Sequence, residues 1–256
     1  MKKLAATLAG IIFFTNCLFA QQAHFTTSGT IEFEKKVNLY ALIKKEVNSD
    51  NEAWMKPIIE EFMKRNPQFK TLKSTLSFTN NKTLFVPEEE ELAKEEWGIG
   101  PMEDQNNTIY TDFNTNSCIN QKKVFDETFL VKDTARAIKW KITDETREIA
   151  GYTCRRANAI MMDSIYVVAF YTTEIPVTGG PESFNGLPGM ILGVALPHEN
   201  LTWFATKVTD TTLPPNTVVP PKKGKGTNNS DLKATLHKAT KDWGKWADRY
   251  LKAFEL

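Results

Sequence analysis

The residues that could do chemistry in this chain are few and lie far apart. Ser183, His198 and Asp210 are the residue types of an acyl-transfer triad, which needs a nucleophile on a sharp turn, a base within hydrogen-bond reach and a carboxylate behind the base. No Gly-x-Ser-x-Gly elbow surrounds Ser183, so a secreted hydrolase using Ser183 or a nearby carboxylate pair is the alternative reading, and it requires a converging pocket over residues 174–190. His24, His198 and His237 have no zinc spacing. Met161, Met162 and Met190 could be soft copper ligands, but adjacent strand residues face opposite sides, which favours core packing. Glu88 to Glu91 with Glu95 and Glu96 lack the alternating Asp/Asn ligands and glycine of a calcium loop and read as a solvated loop. No phosphate loop or dinucleotide fingerprint occurs. No catalytic residue, cofactor or metal is therefore expected.

The start of the chain sets the redox expectation. Met1-Lys2-Lys3 precedes an uncharged apolar run from Leu4 to Phe14, and Ala20-Gln21 offers a cleavage point, so residues 1–20 read as a signal peptide. Lipid attachment at Cys17 is the rival, weakened by Asn16, where a small residue is expected. The run is too short to span a bilayer, and no later stretch is long and uncharged enough to do so. Loss of Cys17 leaves Cys118 and Cys154 in an oxidising compartment, where they are expected to form a disulfide.

The elements that would position these residues are mostly strands. Ile31, Phe33, Val37 and Leu39 alternate with Glu32, Glu34, Lys36 and Asn38, the pattern of a half-buried strand. Between Ser49 and Arg65 the period becomes helical, with Ser49-x-x-Glu52 as a capping box, Pro57 opening a second turn and Asn66-Pro67 ending the element. Strands follow at 72–79, 82–86, 108–113, 119–131 with a break, and 137–143, where Ile138, Trp140 and Ile142 oppose Lys139 and Lys141. Residues 147–162 and 164–173 read as a hairpin, and 189–196 and 201–209 as two more strands. The expected fold is α+β and β-rich: one curved, half-barrel-like antiparallel sheet of roughly eight to ten strands, with an inserted N-terminal helical segment. A domain over 21–213 is followed by a Pro/Lys/Gly linker over 214–230 and, over 231–256, a C-terminal amphipathic helix capped by Asp231. Its stripe of Leu232, Leu236, Trp243, Trp246, Tyr250 and Phe254 packs either on the sheet or on a partner.

The most distinctive stretch runs from Ile175 to Ile191. Leu187 is biased to extended backbone by Pro188, Gly189 supplies a positive φ, and Gly186 permits close approach, so the segment reads as a rigid turn feeding a buried strand. Gly186-Leu187-Pro188-Gly189-Met190-Ile191 resembles the signature of the GLPGLI family of exported Bacteroidetes proteins. Trp140 to Ile142, Ile149 to Ala157, Ala169 to Pro176 and Gly180-Pro181 resemble that family's other blocks in order, and Ser28 to Phe33 its opening strand. The resemblance covers about residues 28–210. It implies an exported β-rich protein, often encoded beside outer-membrane receptors, and carries over no activity. Gly180, Pro181, Phe184, Gly186, Leu187, Pro188, Gly189, Met190 and Ile191 are its recognition marks, structural first, with a ligand- or partner-contacting rim as the second role.

Charge narrows the partners. Lys+Arg 32 against Asp+Glu 31 gives +1, and removal of Lys2 and Lys3 with the leader makes it −1, which argues against nucleic acid. The expectation is an exported, non-catalytic binding or assembly protein of the periplasm or outer envelope. Its partner would be an envelope protein, an outer-membrane receptor or an apolar ligand held by the sheet.

Overall fold

The computed structural model describes residues 25–88, 101–104 and 107–256. The segment expected to be a leader, Cys17, His24 and the acidic stretch beyond Glu88 lie outside the described residues. Twelve strands form one open, curved, mixed sheet: β1 (Ser28–Asn38), β2 (Phe69–Thr79), β3 (Lys82–Pro87), β4 (Asn107–Asp112), β5 (Ser117–Val124), β6 (Glu127–Thr134), β7 (Lys141–Ile149), β8 (Tyr152–Met161), β9 (Ile165–Thr172), β10 (Met190–Leu196), β11 (Leu201–Asp210) and β12 (Lys225–Thr227). Their order across the sheet is β12-β6-β5-β4-β3-β2-β1-β11-β10-β9-β8-β7. Every neighbouring pair is antiparallel except β12 with β6, because the tail returns beside β6 in the same direction. The expected linker thus contributes a short edge strand.

Strand order and one short connection explain the curvature. β6 is second in the sheet and β7 twelfth, so in a flat sheet they would lie about 48 Å apart at ten spacings of about 4.8 Å. Only Ala135–Trp140 joins them, and a fully extended chain from Thr134 to Lys141 reaches about 25 Å. The sheet must roll for this strap to span its edges. The 137–143 alternation expected as a strand belongs in part to the strap: pairing begins at Lys141, while Ile138 and Trp140 pack against the core and Lys139 stays exposed.

The roll is filled by its own side chains. Phe33, Phe78, Phe184, Leu76, Met190 and Leu196 are among the largest fully buried residues. Met161 lies in the same core and Met162 packs against it at a turn. The expected 147–162 strand is split by a turn at Ala150-Gly151, both with positive φ, which separates β7 from β8.

Among the described residues five α-helices accompany the sheet: α1 (Leu39–Lys44), α2 (Glu52–Arg65), α3 (Pro101–Asp104), α4 (Asn229–Thr240) and α5 (Lys245–Glu255). Pro57 lies inside α2, and the Ser49 hydroxyl bonds Asp50, so the expected capping box does not form. The expected single C-terminal helix is two. Asn228, not Asp231, caps α4 by accepting from the Asp231 N–H, and Gly244 at φ +55° separates α4 from α5. This break folds the apolar stripe onto β5 and β6, where Leu232, Leu236, Leu251 and Phe254 pack on Val124, Phe129 and Val131.

Cys118 and Cys154 are free thiols, and the expected disulfide is not formed. Seven strands separate β5, which carries Cys118, from β8, which carries Cys154. Burial drives both thiols above their ordinary pKa, Cys154 to about 12, which leaves them protonated and unreactive.

Candidate functional site

Three segments distant in sequence meet where the strap crosses the rolled sheet. The first is the loop between β9 and β10, residues 173–189. Its backbone is pinned by Val177 N–H to Ile175 O at 2.8 Å, Gly186 N–H to Thr178 O at 3.0 Å and Ile191 N–H to Gly179 O at 2.8 Å. Gly189 N–H donates to Leu187 O at 2.7 Å, closing a three-residue turn around Pro188. A Cβ at Gly189, where φ is +147°, would stand 2.0 Å from Thr172 O. At Gly186 φ is +91° but a Cβ would meet nothing nearer than Trp140 at 3.8 Å, so backbone conformation alone, and not close approach, requires that glycine. Of the two residues between them Leu187 is buried and Pro188 exposed, and Phe184 just before them is buried.

The second segment is the strap. Trp140 Nε1 donates to Asn185 O at 2.8 Å, tying strap to loop, and Arg136 Nη2 donates to Glu255 O at 2.6 Å. The third is the end of α5. Its last carbonyls, which a helix leaves without internal partners, are satisfied from three directions. Lys122 of β5 donates to Phe254 O, Arg136 to Glu255 O, and the Ser183 hydroxyl to Leu256 O at 3.0 Å. Cations at this end also complement the helix dipole.

Charge is concentrated beneath this junction. Lys35 and Lys122 are each only 4% exposed, and Glu103 and Asn107 are buried with them. Lys35 donates to Met102 O at 3.2 Å and Glu103 O at 3.3 Å and lies 5.5 Å from the Trp203 ring. Asn107 Nδ2 donates to Glu182 Oε2 at 3.0 Å. Burial, reinforced by the neighbouring Arg136, lowers Lys122 to about 8, and burial also lowers Arg136. Glu182 moves the opposite way, raised by burial against the pull of Lys35, Asn107, Lys122 and Arg136. Lys35, Asn107, Glu182 and Trp203 border a cavity of about 20 Å³ under Leu256, and among the described residues Trp203 Nε1 has no hydrogen-bond partner there. That is room for about one water molecule.

The triad residues do not assemble. His198 lies tilted against the Tyr166 ring, 6.3 Å away, before the start of β11, while Asp210 accepts from Thr26 at 3.2 Å at the other end of β11, some 30 Å along the strand at about 3.3 Å per residue. Ser183 donates to a carbonyl and has no histidine beside it among its hydrogen bonds. Among the described residues no group of three His, Cys, Asp or Glu could hold a metal, and no helix is long and apolar enough to cross a membrane. Reading the sequence by apolar alternation passed over Lys35 and Lys122. Both occupy inward strand positions, Lys35 between Phe33 and Val37 and Lys122 two before Val124, and a lysine on the apolar parity is the signal that marks them.

Residues 160–193, from the end of β8 through the pinned loop into β10, match a family profile described as a protein of unknown function (Porph_ging). No curated protein matches the chain in sequence. By fold it resembles PNGF-II in space group C2, with 15% identity and a TM-score of 0.52 over 83% of this chain and 33% of that one. PNGF-II in space group P21 gives 16% identity and a TM-score of 0.48, covering 78% and 32% of the two chains. An uncharacterised conserved protein from Thermus thermophilus gives 6% identity and a TM-score of 0.39, covering 81% and 93%. The chain spans about a third of the length of PNGF-II, and at this identity the likeness is one of fold.

Proposed function

We propose that this is an exported, non-catalytic binding or assembly protein of the cell envelope, of GLPGLI type, working through the junction of strap, β9–β10 loop and α5. One observation carries the reading: the loop that bears the signature is rigidly pinned, and it joins the strap and α5 around buried Lys122 and partly buried Arg136, with no base hydrogen-bonded to Ser183 among the described residues. Such a scaffold holds polar groups in fixed directions, as a recognition site requires. The matched profile over 160–193 supports the GLPGLI assignment, since that span includes Gly186 to Ile191. An apolar ligand inside the sheet is disfavoured, because the roll is packed with Phe33, Phe78 and Phe184.

Fractionation of the native host followed by photo-cross-linking from position 188, which is exposed in the loop, tests this reading. The expected result is protein in the envelope fraction, with its leader removed, joined to one discrete envelope component. Retention of the leader in the cytoplasm, or ester hydrolysis abolished by Ser183→Ala, would overturn it.

A further inference from the structure

A groove of about 480 Å³ opens beside the junction, between the strap, the end of β8, α4 and the last turn of α5. Its volume lies within the roughly 300–1,000 Å³ of small-molecule sites. Two halves of different character line it. Ile138, Ile160, Met162 and Leu236 supply apolar wall, and Ile160 is 69% exposed, the highest value for a large hydrophobic among the described residues. Arg136, Lys139 and Lys233 supply positive charge against Glu255 alone. That carboxylate is already engaged by Lys233 at 2.8 Å and by His237 at 3.8 Å.

Glu182 and Glu255 attract the charges at the inner end from beyond ion-pair distance. Neither Arg136 nor Lys122 has a carboxylate within ion-pair distance among the described residues, and both lose water to burial. Arg136 carries five N–H donors, of which one goes to Glu255 O. Buried charges are ordinarily paired, and a desolvated guanidinium at the wall of a groove recognises a carboxylate or phosphate with two parallel hydrogen bonds. We propose that the groove binds an amphipathic anion, a single carboxylate or phosphate head on an apolar chain. The head sits on Arg136 with Lys139 beside it, and the chain lies along Ile138, Ile160 and Met162. This deepens the binding reading above by naming the ligand class.

The test is calorimetric titration of the purified protein with dodecanoate and, in parallel, dodecyl phosphate, both below their micelle-forming concentrations. Dodecanol and inorganic phosphate serve as the chain-only and head-only probes. One molecule of at least one amphiphile should bind per chain, with dodecanol and phosphate at least tenfold weaker. Ile160→Asp and Lys139→Gln alter exposed positions that the fold does not use; each should weaken the amphiphile several-fold or more, and Arg136→Gln at least tenfold, while Lys207→Gln on β11 leaves it unchanged. No saturable binding, equal binding of dodecanol or of phosphate, or full affinity in both Ile160→Asp and Lys139→Gln would overturn the proposal. Cross-linking to an envelope component does not depend on these probes, so loss of amphiphile binding with capture intact removes the ligand class and leaves the binding reading standing.

Discussion

Lys122 is the residue at which structure and electrostatics collide most directly. It is almost wholly buried, bonded to Phe254 O, next to Arg136 and without an ion pair among the described residues. Its folded pKa of about 8 lies below the unfolded value near 10.4, so between these values the unfolded chain binds more protons and stability rises with pH. Below pH 8 the folded protein carries the full cost of the buried charge, on the order of 3 kcal/mol for a difference of about two units. The thiols act in the opposite sense. Their folded pKa values are raised, so above about pH 8.5 they are deprotonated only when unfolded and stability falls. Comparison of the wild type with Lys122→Met isolates the lysine: from pH 7.5 to 10 in denaturant titrations, the wild type should gain about 2–3 kcal/mol relative to the variant. A constant difference between the two proteins over that range would show that Lys122 keeps an ordinary pKa in the folded state.

At the scale of elements, the β9–β10 loop shows how far turn chemistry can be read in advance. Pro188-Gly189 predicts a tight turn with a positive φ, and the structure has one, yet its two glycines differ in why they are needed. Gly189→Ala drives a Cβ into the Thr172 carbonyl, a backbone atom that cannot swing aside, and should cost about 2–4 kcal/mol in thermal or denaturant unfolding. Gly186→Ala meets open space and bears only its left-handed conformation, worth about 1–2 kcal/mol. Equal losses at the two positions would refute the distinction. Helices were harder to read than turns. The stripe from Leu232 to Phe254 keeps helical spacing straight through Gly244, so periodicity alone predicts one rod, whereas the break lets α4 and α5 both reach the same apolar patch of β5 and β6. The strap posed the converse problem: Ile138 and Trp140 alternate as a strand would, but they alternate between core and solvent without a partner strand, and alternation reports burial on one side rather than pairing.

For the whole molecule, alternation locates most strands but gives roughly eight to ten where the described sheet has twelve, and the order of strands is beyond it. Nothing local in β6 or β7 says that they lie towards opposite sides of a rolled sheet, β6 second and β7 last; that follows from a short strap and a long strand order together. The same global fact decides the cysteines. In the linear sequence Cys118 and Cys154 are a natural pair for an exported protein, whereas in the sheet they stand on β5 and β8 with seven strands between. A disulfide joining them would have stabilised the fold by about 3–5 kcal/mol through loop closure, and reduction would forfeit that amount. With both thiols free, reducing agent should leave the thermal midpoint unmoved. Alkylation should distinguish folding from oxidation: in native buffer Cys154, fully buried and held protonated, reacts only as fast as the protein opens, while in denaturant without reductant both cysteines modify to completion. Incomplete labelling in denaturant, restored by reductant, would mean that the chain does cross-link, and that β5 and β8 come together in a fold other than this one.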